Sequence, residues 1–483
     1  MFLRRNVHTA IFVLAVALFI AFRLWHLTYY SLDFDEIFSV QAARQTWAAL
    51  LSVIADDLVH PPLFYLLLKV WIVIGGESLF WLRLFPALTA IASIIPFLLL
   101  CRELKFQMPE RNLALLLIAV NAYLVFYAQQ VRMYSLLFFL TLCSLWLFVK
   151  FYKREANLKT NLLALFIVNL LLVYTQYFGW LVIGVEGVFL LLWGRWRSRR
   201  LLLFSLSVGA LIVCFAPWAY VVAEAAVAKR GLGQNIGWIT RPDLSDLVWY
   251  YGTLNGLLNF PRATSLSMLI FGFPVLLWGW HSLRREDGRQ TSLLGGLLLF
   301  SFLPALLTFA ASHVLSQSVW VDRYLIIVAA PYLMLVAVAA WRLQPLWLRT
   351  IMLALIISWA LVAGFYELPK TDKKIAWQAL AQQMMRAEPA QSSGVRVYAF
   401  EGFVAAPLEF YLETAGERRF QILAVKDIHA ATGEHFWIAF RNSTWNQPQQ
   451  PQEILAAEGY RIGDALTAET QGQTIILFPV WRP

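Results

Sequence analysis

Residues 31–40, SLDFDEIFSV, place three acids, Asp33, Asp35 and Glu36, within four positions. They follow directly on an apolar run at 8–27, long enough for one membrane crossing, which takes about 20 residues. Of the 483 residues, 60% are hydrophobic and only 14% charged, where a soluble domain carries about 25% charged residues. Apolar runs recur as far as Tyr366, the pattern of a polytopic membrane protein. The question is why such a chain sets an acidic cluster where it has just left the bilayer.

Charge settles the topology. Spans are expected near 8–27, 80–100, 112–128, 133–150, 161–175, 179–194, 201–221, 263–281, 291–312, 324–341 and 348–366, about eleven in all. One set of connections is basic: Arg4 and Arg5; Arg102, Lys105 and Arg111; Lys150, Lys153, Arg154 and Lys159; Arg195 to Arg200; Arg284, Arg285 and Arg289; Arg342 and Arg349. The alternate short connections are nearly free of Lys and Arg. The positive-inside rule places the basic set in the cytoplasm, with the N-terminus inside and the C-terminus outside. A full crossing by 61–75 would put the basic loop at 102–111 outside, so that segment is expected to be interfacial or re-entrant. The first span is read as retained, because no small-residue cleavage site precedes the acids.

The net charge of +10 does not point to nucleic acid, since the basic residues fall in short clusters between apolar runs. Cys101, Cys143 and Cys214 all lie in apolar runs, without disulfide or zinc spacing. No GxGxxG or HExxH motif is present. From about Leu368 the chain becomes mixed. IAWQALAQQMM reads as an amphipathic helix, and VRVYAF, RFQILAV, HFWIAF and TIILFPV read as strands. The expected organisation is a membrane domain over 1–367, with outer loops 28–79 and 222–262, and an extracytoplasmic α/β domain over 368–483. The aromatic loop 222–262 is expected to hug the membrane, and a connection of that length is usually functional or disordered.

With the topology fixed, the outer polar residues form a short set: Asp33, Asp35, Glu36, Asp56, Asp57 and His60; Gln129, Gln130, Arg132 and Tyr134; Gln176 and Tyr177; His313, Asp322, Arg323 and Tyr324. Each has a plainer explanation. Asp35 and Glu36 fit the first turn of a helix, Pro61-Pro62 fit a helix start, and Arg132 and Arg323 fit snorkelling at an interface. Gln176 fits a polar helix end. Glu186, mid-span, fits a buried hydrogen bond within the bundle. Yet two arginines, each followed closely by tyrosine at a membrane face otherwise poor in basic residues, suit an anionic lipid head group. Arginine pairs phosphate oxygens bidentately, and an acid beside that phosphate can act as general base for an incoming hydroxyl or amine.

The motifs DFDEIFS, HPPLFYLLLKVW, GGESLFWLRLFPAL, YAQQVRMYSL and DRYLIIVAAP, in this order and on the outer side, resemble the GT-C glycosyltransferase class. The likeness is to its protein O-mannosyltransferase-like branch, which includes bacterial aminoarabinose transferases acting on lipid A, and it covers about residues 1–366. It implies a GT-C-like polytopic helical fold with about eleven spans and transfer of a monosaccharide, with inversion, from a polyprenyl-phosphate donor. A bacterial origin would make undecaprenyl phosphate the carrier. By the resemblance, Asp35 is the base, Glu36 a supporting acid, Asp57 a second acid near the site, and His60 a residue approaching the lipid phosphate. Arg132, with Tyr134, and Arg323, with Tyr324, would hold that phosphate. One position departs: the family's Glu-x-Arg-x-Tyr has Gln130 here, so a charged role for that position does not carry over. Some relatives bind a divalent ion near the acids and others do not. The acids here offer the oxygen ligands such an ion takes, and no metal is assigned.

Two other classes compete. A flippase for a lipid-linked sugar would concentrate ionisable residues near the midplane on broken helices, whereas here they gather at one face. A membrane scaffold leaves the acids and arginines without a purpose. The acceptor, whether lipid, protein or glycan, and the donor sugar are open.

Overall fold

The computed structural model describes residues 2–154, 156–194, 199–228, 237, 239–256, 262–284, 288–367, 374–389, 392, 394–470 and 473–482. The chain divides into two compact units, Met1–Trp25 with Ala42–Leu368, and His26–Gln41 with Pro369–Pro483.

The first unit is a helical membrane bundle. Among the described residues, nine helices are long and apolar enough to span a bilayer, or ten if the bent pair Met108–Val120 and Ala122–Ala128 is one span. Gly179–Trp193 and Leu63–Gly75 are shorter apolar helices. The 13 residues of Leu63–Gly75 reach roughly 20 Å at 1.5 Å per residue, short of a hydrocarbon core of about 30 Å. Ten of the eleven expected spans thus recur at their expected places if the bent pair is counted as one, while the eleventh, 179–194, is the 15-residue helix Gly179–Trp193, below the length of a span. Asp322–Trp341 is almost wholly enclosed by the others, which explains its small and aliphatic sequence with no outward polar face. Gly364 lets Leu346–Tyr366 close on Met108–Val120: a Cβ there would lie 2.4 Å from the Val120 carbonyl oxygen.

The bent span is built by polar groups inside the bundle. Its two helices meet at 60°, and Asn121 caps the second by accepting from the Leu124 amide at 3.1 Å. The carbonyls released at the end of the first helix receive Arg23, whose guanidinium donates to Ile118 at 2.9 Å and Ala119 at 2.6 Å. Gln129 in turn donates to the Trp25 carbonyl at 2.7 Å and the Phe22 carbonyl at 3.1 Å, closing the end of the first span. Backbone groups at membrane depth need such internal partners.

Three of the basic connections meet at one end of the bundle. Arg154 pairs with Glu103 at 2.5 Å and Arg342 with Glu110 at 2.6 Å, tying them together.

Glu186 is buried within the bundle, as a hydrogen-bonding group. Ser144 Oγ lies 2.7 Å from its Oε1, Asn169 Nδ2 donates to its Oε2 at 3.1 Å, and Ser144 Oγ lies 2.6 Å from Asn169 Oδ1. Three helices are joined by this triangle. Glu186→Leu leaves Ser144 and Asn169 mismatched and is expected to lower stability by about 1–3 kcal/mol. Glu186→Gln, which still offers an acceptor and a donor, is expected to stay near wild type. Thermal unfolding of the purified protein in detergent checks both.

The second unit is a small α/β fold. Its sheet runs in the order β2-β1-β3-β6-β4, with β5 also paired to β6. β1 (Val395–Ala399) is parallel to β2 (Phe420–Ala424) and β3 (His435–Arg441). β6 (Gln473–Trp481) runs antiparallel to β3, to β4 (Arg461–Ile462) and to β5 (Leu466–Thr470). The four strands expected from sequence are β1, β2, β3 and β6. One face packs on Trp377, Leu380 and Met384 of the helix Trp377–Ala387 and on Val404 and Leu408 of Gly402–Thr414. The other face, with Phe436, Ile438 and Phe478, packs on Ile428 and Leu455.

Candidate functional site

In the membrane unit four of the expected residues come together. Thr46 caps the helix Trp47–Asp57, accepting from the Ala49 amide at 3.3 Å. That helix ends where Leu58 enters the left-handed region at φ 61°. The reversal brings His60 back beside the last helical residue, and His60 Nδ1 lies 2.6 Å from Asp57 Oδ2. Pro61 and Pro62 then open Leu63–Gly75, whose first turn tolerates proline because those amides have no helical partner.

The other ring nitrogen faces two side chains from distant segments. Tyr324 Oη is 2.8 Å from His60 Nε2, and Arg132 Nη2 is 3.0 Å from the same atom. Arg132 Nη1 donates to the Tyr65 hydroxyl at 3.1 Å. A carboxylate accepts and a guanidinium donates. The partners therefore assign the proton to Nδ1 and the lone pair to Nε2. Asp57 fixes the ring, and the ring steers Arg132. His60 is 6% exposed, Arg132 2% and Tyr324 5%, so this cation is held away from solvent, where screening is weak and it acts strongly on a neighbouring anion.

Aromatic residues enclose the group. Tyr134 is buried, with ring centroids 4.8 Å from Tyr127 and 6.4 Å from Tyr324. Phe178 stands edge-on to Tyr324 at 5.4 Å. Burial, opposed by the hydrogen bond from Trp218 and reinforced by the Asp57 charge, pushes the Tyr177 phenol up to about 12; it is a neutral group at physiological pH. Arg323 is half-buried, its guanidinium 5.7 Å from the neighbouring Tyr324 ring centroid. The aromatic segment expected to hug the membrane divides: Trp249 is exposed, while Tyr250 and Tyr251 turn inward and donate to the carbonyls of Leu325 at 2.6 Å and Ser301 at 2.7 Å. The rest of the 222–262 loop at 229–236, 238 and 257–261 lies outside the described residues.

The acids of the opening motif belong to the second unit. Asp33 and Glu36 form a reciprocal cap on the helix Phe34–Arg44: each backbone amide donates to the other's carboxylate at 3.2 Å. Lys374 then binds both, at 2.6 Å from Glu36 Oε2 and 3.2 Å from Asp33 Oδ2. Glu36 is fully buried. Burial pushes the Asp33 carboxyl above its ordinary range; Lys374 opposes this, and the Glu36 and Asp35 charges add to it. Asp35 stands half-buried between them in the first turn, its carbonyl accepting from the Ser39 hydroxyl at 3.1 Å.

The plain reading of Asp35 and Glu36 as acids of a first helical turn is met by both, and Asp33 adds the reciprocal cap with Glu36. Asp35 is the acid of the three that has no part in the reciprocal cap. Sequence reasoning missed Lys374 and Tyr65. Lys374 had a signal in the sequence, where Lys370, Lys373 and Lys374 form a basic cluster following the last expected span. Tyr65 had none, being one aromatic in an apolar run. Among the described residues no group of three or more His, Cys, Asp or Glu is arranged to hold a metal ion.

No family model and no curated protein matches this chain. Solved structures do. ArnT from Cupriavidus metallidurans bound to undecaprenyl phosphate is similar over 96% of this chain and 97% of its own, with TM-score 0.59 and 15% identity. The apo form of the same protein gives a TM-score of 0.60 at 15% identity over the same shares of both chains. The archaeal oligosaccharyltransferase AglB from Archaeoglobus fulgidus, in complex with an inhibitory peptide and a dolichol-phosphate, is similar over 87% of this chain and 65% of its own, with TM-score 0.50 and 14% identity. The fold is therefore the one seen in ArnT, a polytopic helical bundle followed by a small sheet domain.

The Lys374 contact has a direct consequence for stability. Removing one partner of a buried ion pair costs about 3–5 kcal/mol, so Lys374→Met is expected to lower the thermal unfolding midpoint clearly. The double substitution Glu36→Gln with Lys374→Met removes both charges and is expected to recover most of that loss, Asp33 retaining the remainder. A midpoint unchanged by Lys374→Met would mean the pair carries no stability.

Proposed function

We propose that this protein is a membrane glycosyltransferase that moves a monosaccharide from a polyprenyl-phosphate donor to an acceptor at the outer face of a bacterial inner membrane, with the basic end of the bundle in the cytoplasm. The observation that carries the reading is the buried chain Asp57–His60–Arg132, with Tyr324 and Tyr65 on its flanks. It stands on a fold shared with a protein solved with undecaprenyl phosphate.

The charge balance of the reaction says what such a cation does. The donor is a phosphodiester with one negative charge. As the bond from the anomeric carbon to the phosphate oxygen breaks, that oxygen takes the electron pair, and the leaving polyprenyl phosphate gains a second negative charge. A cation fixed in advance beside the phosphate stabilises the transition state more than the bound donor. Arg132 is that cation, aimed by His60, whose tautomer Asp57 holds. Tyr324 and Tyr134 shape the pocket, and Arg323 supplies further positive charge. The acceptor's oxygen or nitrogen attacks the anomeric carbon from the opposite side, inverting it, and its proton passes to a base. Asp35 is the base, with Glu36, tied to Lys374, as the supporting acid that holds its helix turn.

The test uses purified full-length protein in detergent with radiolabelled polyprenyl-phosphate sugars and a crude membrane acceptor extract. Wild type is expected to release or transfer sugar. Arg132→Ala is expected to lower turnover by about 10²–10³-fold, and Asp35→Asn by about 10²–10⁴-fold. Asp57→Asn, which unsettles the His60 tautomer without touching substrate, is expected to lower kcat more than it raises KM. Donor binding without turnover of any donor would replace the transferase by a carrier of lipid-linked sugar; full activity in Asp35→Asn would remove Asp35 as base.

A further inference from the structure

At the basic end of the bundle, the membrane unit encloses a cavity of about 820 Å³. The helix Tyr134–Lys153 runs from the Arg132 region to this cavity, which it first lines at Leu145, roughly 17 Å along its axis from Tyr134. The cavity is therefore a separate place from the Asp57–His60–Arg132 group. Leu145, Phe148, Leu297, Phe300 and Met334 give it apolar walls, interrupted by neutral polar groups such as Gln107 and Gln344, and four cations line it: Lys105, Lys153, Arg342 and Arg349. Among the described lining residues none is acidic.

The nearby carboxylates are already engaged. Glu110 takes Arg342 at 2.6 Å and Glu103 takes Arg154 at 2.5 Å. Arg349 is steadied without being neutralised, donating to the Trp341 carbonyl at 3.4 Å with its guanidinium 5.2 Å from that ring's centroid. Lys105 sits in a left-handed turn at φ 58° directly after the helix Ile94–Glu103. Topology alone explains basic residues at this end. It does not explain why they edge a hollow with apolar walls.

We infer that this cavity binds an anionic membrane phospholipid, its phosphate between Lys105 and Arg349 and the upper part of one chain against Phe148, Phe300 and Met334. The size falls within the range of ligand pockets, about 300–1,000 Å³, enough for a head group and a chain segment. Basic pockets between spanning helices on the cytoplasmic side are of the kind that take acidic head groups. The apolar walls select a lipid over a free phosphate ion.

The test is native mass spectrometry of the full-length protein in detergent. It is run in an Arg132→Ala background, so that no lipid phosphate is counted at the opposite end. Dioleoyl phosphatidic acid, dioleoyl phosphatidylcholine and inorganic phosphate are compared at equal concentration. Phosphatidic acid is expected to be retained about ten-fold more than phosphatidylcholine, at roughly one order of magnitude for two cations near a lipid phosphate, and inorganic phosphate not to displace it. Lys105→Gln with Arg349→Gln is expected to bring retention down to the phosphatidylcholine level. Ser292→Glu, which adds a carboxylate to the lining and leaves the cations in place, is expected to do the same; thermal midpoints confirm that both variants are folded. Equal retention of the two lipids, displacement by inorganic phosphate, or retention undiminished in both folded variants would overturn the inference.

Discussion

A helix that breaks inside a bilayer exposes backbone carbonyls and amides to hydrocarbon, and each must find a partner within the protein. Much of the membrane unit follows from how one break is met. Arg23 reaches the carbonyls of Ile118 and Ala119, Asn121 caps the next helix, and the chain turns by 60°. The short helix Ala122–Ala128 then delivers Gln129 back to the end of the first span. Three residues further on stands Arg132, at the mouth of the long helix Tyr134–Lys153. A straight span through this region would have no reason to place a buried arginine there.

A guanidinium so enclosed needs aiming as well as burial. His60 provides the aim because its two nitrogens are unlike: one is bound to the acceptor Asp57, the other open to the donor Arg132. Neither Asp57 nor Arg132 can exchange roles, so the relay has one sense. Tyr65 fixes the second arm of the fork, and Tyr324 shares the histidine nitrogen. Loss of any member leaves the arginine buried but undirected. The same logic of paired charges recurs at Lys374 with Glu36 and Asp33, and at the Glu186 triangle, where neutral polar partners replace an ion pair.

Much of this was legible in the chain. Spanning segments announce themselves by length and apolarity, and alternating charge orders their connections, so the basic ends meet as Arg154–Glu103 and Arg342–Glu110 do. Asp57, His60, Arg132 and Tyr324 stood out because polar groups are scarce at that face. What stayed hidden depends on distant pairing. Nothing near residues 26–41 says that they group with a unit beginning more than 300 residues later, and Lys374 acquires its role only through that grouping. Glu36, read as a supporting acid, caps a helix and pairs with Lys374, contacts that sequence does not show because it cannot tell a carboxylate facing substrate from one facing its own backbone. The short edge strands β4 and β5 are too brief to show a period of two.

In the proposed reaction Arg132, held by His60 and Asp57, binds the phosphate of a polyprenyl lipid. The most direct measurement is equilibrium binding of radiolabelled undecaprenyl phosphate to the purified protein, set against the uncharged alcohol undecaprenol, for wild type and Arg132→Ala. The account predicts that wild type prefers the phosphate by about ten-fold or more, as one well-placed charge-assisted pair gives, and that Arg132→Ala abolishes the preference while still binding the alcohol. Equal affinity of wild type for both lipids, or a preference that survives the loss of Arg132, would contradict it.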